Sequence, residues 1–378
     1  MKVVLAIDSF KGSLTSEQAE NAVSEGILRV YPDAVISAYP IADGGEGTVE
    51  ALQSYMGGKR ERVFASNPLG RKIECEYVIT ENKTAIIEMS AAAGITLLSK
   101  NELNPLITTT YGVGEMIADA IKKGCRSFII GIGGSATNDG GIGMLQSLGF
   151  GVLDKSGKQA PQGAGGLKDI YSINAENAIS ELSECSFTVA CDVKNPLCGE
   201  NGCSKIFGPQ KGADKKTVEK MDEWMLKFAE VVKGFNPNSD MNFAGAGAAG
   251  GLGFALKAFL NAKLESGIEL IIKETGIEES IKNADIVITG EGRFDSQTAM
   301  GKVPGGIAWI AKKYNKTVIA FSGSVTKDAR ACNKSGIDAY FPILREVCTL
   351  QDAMNFKNAY ENLADTVEQV FNLVLKIK

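Results

Sequence analysis

Residues 1–30 read MKVVLAIDSFKGSLTSEQAENAVSEGILRV, and this stretch decides the fold class. Val3–Ile7 is an unbroken apolar run, the pattern of a strand buried on both faces. Asp8-Ser9-Phe10-Lys11-Gly12-Ser13 follows as a polar turn. Thr15 and Gln18 then form a capping-box pair that opens a helix running to about Val30. Strand, polar glycine loop and helix in that order are the repeating unit of a parallel α/β sheet.

The unit recurs along the chain. Further strands are expected at Ala34–Tyr39, Ala85–Met89, Ser127–Ile132, Ser186–Cys191, Ala284–Thr289, Thr317–Phe321 and Ala339–Ile343. Val113, Met116, Ile117, Ala120 and Ile121 share one helical face that ends at Gly124. Residues 217–233 repeat the pattern with Val218, Met221, Met225, Phe228 and Val232. Two regions break the rhythm. RERVFAS and KIECEYVI around NPLG read as an antiparallel pair within 60–84, and residues 150–280 alternate less regularly. The expected organisation is a discontinuous Rossmann-like domain (1–60, 85–145 and 282–378) with a second α/β domain inserted (61–84 and 146–281).

Composition narrows the chemistry. Of 378 residues none is histidine, so no Ser-His-Asp triad, HExxH zinc site or histidine base is possible. Acid–base work falls to Asp, Glu, Lys, Tyr or Cys. A net charge of −5 argues against a nucleic-acid surface. Glycine, at 43 residues, is about 11% of the chain against an average near 7%. The eight cysteines form no CxxC. Cys191, Cys198 and Cys203 crowd together but match no common zinc spacing, so they read as reduced, mostly buried thiols. With no signal peptide pattern and no apolar run near the ~18 residues of a membrane span, a cytoplasmic protein is expected.

Four glycine-rich segments follow strands, where α/β proteins place ligands. The loop at 8–13 sets Lys11 and Ser13 beside a helix N-terminus, a place that suits phosphate, although a helix cap with an exposed Lys reads the same. Asp43 and Glu46, on the glycine frame of 42–48, suit Mg²⁺, and equally a plain acidic turn. Gly131–Gly141 carries five glycines, of which Gly133 and Gly134, with Ser135 and Thr137, favour a phosphate cradle. The segment 289–298 pairs Arg293, able to grip a carboxylate or phosphate bidentately, with Asp295 as a base or metal ligand; a surface ion pair is the alternative. Asp192 beside Lys194, and Glu88 with Ser90, sit at two more strand ends, where a cap or buried ion pair would also explain them. Gly245–Gly250 satisfies GxGxxG and Gly131-Ile132-Gly133 opens a GxGxxA. Neither sits cleanly between a strand and a helix, so a nicotinamide dehydrogenase is the weaker reading.

Taken together, DSFKGS (8–13), PIADGGEGT (40–48), NPLG (67–70), IEMSAAAG (87–94), GIGGSATNDGG (131–141), CDVKNPL (191–197), GAGAAGGLG (245–253) and TGEGRFDSQT with GKVPGG (289–306) resemble the bacterial glycerate kinase family, the type with glyoxylate- and glucarate-pathway enzymes. The resemblance runs nearly end to end. It implies ATP-dependent phosphorylation of D-glycerate with Mg²⁺, usually at the 2-position. It also implies two α/β domains, one Rossmann-like and one inserted, with the active site in a cleft between them.

Residue chemistry then suggests roles. Gly133, Gly134, Ser135, Thr137 and Ser13 take phosphates, and Lys11 neutralises charge. Arg293 and Arg71 hold the substrate carboxylate, with Glu88 and Ser90 as further substrate contacts. Asp43 and Glu46 are the metal candidates, and Asp192 then Asp295 the candidate bases. Transfer to the 3-hydroxyl and a non-catalytic sugar-acid-binding protein remain as alternatives. No nucleic-acid or membrane partner is expected, and either a monomer or a homodimer fits.

Overall fold

The computed structural model describes residues 1–41, 47–295, 298 and 303–377. Its strands, in chain order, are β1 (Lys2–Ile7), β2 (Val35–Ala38), β3 (Lys59–Ser66), β4 (Lys72–Ile79), β5 (Thr84–Glu88), β6 (Ser127–Gly131) and β7 (Gly151–Leu153). They continue with β8 (Ser172–Asn174), β9 (Ser186–Ala190), β10 (Lys263–Glu265), β11 (Ile286–Phe294), β12 (Thr317–Val325) and β13 (Ala339–Pro342). The chain divides into two compact units, one of residues 1–43, 50–55 and 268–378, the other of 44–49 and 56–267.

In the first unit a five-stranded sheet runs β13-β12-β11-β1-β2, with every pairing parallel. The apolar runs of β1, β11 and β12 are buried because helices cover both faces. Leu5, Ile7, Ile288 and Phe321 face the helices Ser16–Val30 and Phe356–Ile377, meeting Val23, Ile27, Leu363 and Val367. Alternate residues face the other side, where the helix Val303–Lys313 packs on β1, β11 and β12. The first helix starts where the sequence places it: Thr15 accepts from Gln18 N and Gln18 caps in return.

The second unit holds a six-stranded sheet, β10-β9-β6-β5-β4-β3. β3, β4 and β5 are antiparallel, whereas β5, β6, β9 and β10 are parallel. β7 and β8 form a separate hairpin. The hairpin expected around NPLG is present as β3–β4. One expectation is corrected here. The sequence pattern assigns residues 85–145 to the Rossmann-like domain, but β5 hydrogen-bonds to β4 on one side and β6 on the other. The whole stretch therefore belongs to the second sheet. Local patterning shows that β5 and β6 are buried parallel strands; it carries no information on which sheet receives them.

The first helix also carries a buried carboxyl. Glu20 is 2% exposed, and its Oε1 has no hydrogen-bond partner among the described residues. Burial pushes its carboxyl up to about 9, and the backbone of Ile7 and Tyr39 offsets this only in part. At neutral pH the folded protein thus holds this proton, while the unfolded chain releases it above the ordinary value of 4.5. The stabilisation from the neutral carboxyl is complete below that ordinary value and fades as pH rises through about 9. We expect Glu20→Gln to remove this dependence. In urea unfolding from pH 5 to pH 9 the variant should gain steadily on the wild-type protein; a constant difference between the two would refute the protonation.

Candidate active site

In the first sheet the strand order reverses between β1 and β11. The chain steps from β1 outward to β2, and from β11 in the opposite direction to β12 and β13. The loops leaving β1 and β11 must turn apart, which opens a crevice at their carboxyl ends, where open α/β sheets bind ligands. Ile7 lies opposite Gly290, and Asp8 N extends the contact to Gly290 O at 2.9 Å. The two loops line a pocket of about 320 Å³.

This pocket gathers Lys11, Ser13, Arg293 and Asp295, named from two segments nearly three hundred residues apart, and adds Asp8 and Glu291. Asp8 is 3% exposed, and its Oδ1 accepts from Ser9 N at 2.7 Å. Glu291 is also buried and accepts from Thr298 Oγ1. Lys11 is exposed. Arg293 is exposed too, with Nε 3.9 Å from Asp295 Oδ2, beyond hydrogen-bond distance. Its fork is thus not engaged bidentately by that carboxylate. Ser13 donates its hydroxyl to Phe10 O at 2.9 Å, which closes the loop on itself. Leu344, Leu350 and Met354 make an apolar wall.

In the second unit the carboxyl ends of β5, β6 and β9 lie side by side, with Glu88 opposite Gly131 and Gly131 opposite Ala190. Glu88, the glycine-rich loop and Asp192 therefore leave the same edge of the sheet. Gly133 and Gly134 reach the surface. Gly134 has φ +70°, and a Cβ there would lie 3.6 Å from that of Ser90. The loop is tied to the segment beside it by Ile95 N to Gly134 O (2.8 Å) and Ala136 N to Ala93 O (2.9 Å). Glu88 accepts from Val49 N at 3.0 Å and from Ser90 Oγ at 3.4 Å.

Below the surface the loop is held by buried charges. Asp139 accepts from Thr110 N and Oγ1 (both 2.9 Å), Gly141 N (3.0 Å) and Gly143 N (3.3 Å). Burial pushes its carboxyl up, against hydrogen bonds that favour the ionised form. Lys211, 1% exposed, donates to Ser135 Oγ at 2.8 Å and to Thr137 O at 2.6 Å. Thr137 is wholly buried and Ser135 is 9% exposed, so the outer surface of the loop is formed by Gly133 and Gly134 rather than by the Thr137 hydroxyl.

Other assignments fare differently. Arg71 is exposed and pairs with Glu102 at 2.9 Å, a surface ion pair. Asp192 accepts from Gly267 N at 2.9 Å, at the first residue of the helix Gly267–Thr275. Asp43 and Glu46 lie outside the described residues. Among the described residues no cluster of three or more His, Cys, Asp or Glu forms a metal site, the three crowded cysteines included.

Sequence reasoning missed Lys211 and Glu291. Glu291 stands inside TGEGRFDSQT, where Arg293 and Asp295 carry the more distinctive chemistry. Lys211 had no signal of this kind: it stands in FGPQKGA, after no strand and on no periodic face.

The GxGxxG at 245–250 resolves as packing. Gly250 has φ +66°, and a Cβ there would lie 2.2 Å from Thr137 O. Gly140 N also bonds to Gly250 O at 2.9 Å. Two glycine-rich backbones thus touch directly, which a side chain would prevent. Gly250→Ala combines a left-handed backbone with this overlap and should cost about 2–4 kcal/mol of stability. Denaturant unfolding checks it; a loss below about 0.5 kcal/mol would show that the contact yields.

Comparison with known proteins gives one answer along the whole chain. The model of the glycerate kinase family matches residues 3–375. Glycerate 2-kinase of Escherichia coli (strain K12) is 45% identical over 364 residues, 96% of this chain and 95% of that protein. Glycerate kinase of Bacillus subtilis (strain 168) is 42% identical over 371 residues, covering 98% and 97%. A crystal structure of a candidate glycerate kinase 2 from Salmonella typhimurium LT2 superposes with a TM-score of 0.87 at 43% identity, covering 100% of this chain and 98% of that one. With strand order, loop chemistry and these relatives in agreement, the chain belongs to the glycerate kinase family, a family of phosphotransferase enzymes.

Proposed function

We propose that the protein phosphorylates D-glycerate on its 2-hydroxyl with ATP, by direct in-line transfer. The observation that carries this reading is the switch-point pocket, where Lys11 and Arg293 stand among Asp8, Glu291 and Asp295. A small anionic acid with an adjacent hydroxyl needs such a mixture: a cation for its carboxylate and a carboxylate for its hydroxyl proton. The name of the Escherichia coli relative supports the 2-position. The reaction belongs in the cytoplasm, where ATP is made and spent; among the described residues no helix is long and apolar enough to cross a membrane.

Phosphoryl transfer is mostly positioning and charge neutralisation. Arg293 grips the substrate carboxylate with its fork. Lys11 offsets phosphate charge, and Gly133, Gly134 and Ser135 donate to phosphate oxygens. Asp295 shares the pocket with Arg293 and takes the hydroxyl proton; Asp192, engaged at a helix start, is the second candidate. Mg²⁺ bound with the nucleotide neutralises phosphate charge. It commonly takes one or two carboxylates and completes its shell with water and phosphate oxygens. Asp8 and Glu291, two carboxylates lining the pocket, fit that need, and Asp43 and Glu46 stay as further candidates.

Two measurements test this. In ³¹P NMR of a reaction with ATP, Mg²⁺ and D-glycerate, the new ester should couple to one proton, as a phosphate on CH does. Coupling to two protons would move the product to the 3-position, and no ester at all would refute the kinase reading. Asp295→Asn should fold normally and lose ~10²–10⁴ in kcat, while Asp192→Asn retains most turnover. The reverse pattern would transfer the base to Asp192.

A further inference from the structure

We propose that Lys211 is a positioning residue for phosphoryl transfer: from beneath the glycine-rich loop its ammonium fixes Ser135 as a hydroxyl donor to a phosphate oxygen. This rests on the reading of that loop as a phosphate site.

The geometry is unusual for a structural lysine. Lys211 follows Pro209 in a single tight turn, and its ammonium is fully enclosed. Among the described residues no carboxylate lies within ion-pair distance of it; its two acceptors are the neutral Ser135 Oγ and Thr137 O. Asp139, the carboxylate whose charge it senses, is committed to Thr110, Gly141 and Gly143. Enclosing a cation without a counter-charge is costly. An anion on the loop above it supplies the missing charge.

Ser135 connects the two. Its oxygen accepts from Lys211, so its own proton points elsewhere, and among the described residues the hydroxyl makes no other hydrogen bond. It sits beside Gly133 and Gly134, which reach the surface. A hydroxyl that accepts from a cation is a stronger donor, since successive hydrogen bonds polarise one another. The arrangement carries positive charge to the loop surface through one oxygen without exposing the lysine to water. Burial also pushes the ammonium down to about 8, with Cys203 and Asp139 acting in the opposite sense.

The test is a double-mutant cycle on kcat with Lys211→Met, Ser135→Ala and both together, alongside thermal unfolding of each. Both single variants should lose ~10²-fold, the scale of one oxyanion donor, with KM for D-glycerate nearly unchanged. The double variant should be within about threefold of the singles, because both remove one relay. Multiplying losses, or wild-type kcat in Lys211→Met, would overturn the role of Lys211. Wild-type kcat in Ser135→Ala would instead sink the phosphate reading of the loop.

A second readout needs no Lys211 variant. For the wild-type protein kcat/KM for ATP should fall on an alkaline limb near pH 8, as Lys211 loses its proton. The titratable groups facing it are Asp139 on the loop and Cys203 on the helix Cys203–Phe207. The Cys203 thiol is pushed up to about 11 and keeps its proton through that range. Ser135→Ala should lack this limb. Its persistence there, or its absence from the wild-type protein, would overturn the inference.

Discussion

Parallel strands all deliver their carboxyl ends to one edge of a sheet, and a reversal of strand order at that edge leaves a gap that no crossover covers. The reversal between β1 and β11 is the constraint on which the first unit's chemistry depends. It brings residue 8 within hydrogen-bond distance of residue 290. It places the DSFKGS and TGEGRFD loops on one pocket, so that a lysine from one and an arginine from the other serve one volume. The second sheet runs in chain order from β3 to β10, with β7 and β8 set aside, and has no such reversal. Its glycine-rich loop is shaped instead by glycine content and buried polar anchors.

The absence of histidine sets the remaining terms. Without an imidazole, proton transfer near neutral pH rests on carboxylates, and charge neutralisation on lysine and arginine. The two loop clusters accordingly hold Asp8, Glu291, Asp295, Lys11 and Arg293 in one unit, and Glu88, Asp139 and Lys211 in the other. Within each cluster some charges are exposed and others hold the frame. Arg293 and Lys11 are exposed, whereas Asp139 is spent on Thr110 and two glycine amides.

The sequence made local structure legible because local structure follows from local patterning. Apolar runs marked all eight expected strands, the Thr15–Gln18 pair marked a helix start, and glycine runs after strands marked both loop clusters. Sheet membership of 85–145 was not legible, because β5 and β6 look alike whichever sheet receives them. Arg71 illustrates a second limit. An arginine after NPLG has the chemistry of a carboxylate clamp, and only its neighbour Glu102 turns it into a surface pair. Lys211 illustrates a third, since a buried cation is defined by what encloses it and not by its own flanking residues.

The contrast between Asp139 and Lys211 explains why the glycine-rich loop can be both open and rigid. Five glycines within 131–141 would leave a free loop many backbone states, and a phosphate would have to select one of them. Asp139 removes that freedom at one end by joining the loop to Thr110 and to the start of the following helix. Lys211 removes it in the middle, through the Thr137 carbonyl and the Ser135 hydroxyl. Gly250 closes another side by direct backbone contact, and the backbone of Ala93 and Ile95 ties Ala136 and Gly134. What stays unconstrained is the outward face of Gly133 and Gly134. Glycine there would let an oxyanion approach closely at the proposed phosphate site, on a loop whose backbone the anchors already hold. Rigidity supplied from below and access kept open above are separate jobs, and the chain assigns them to different residues.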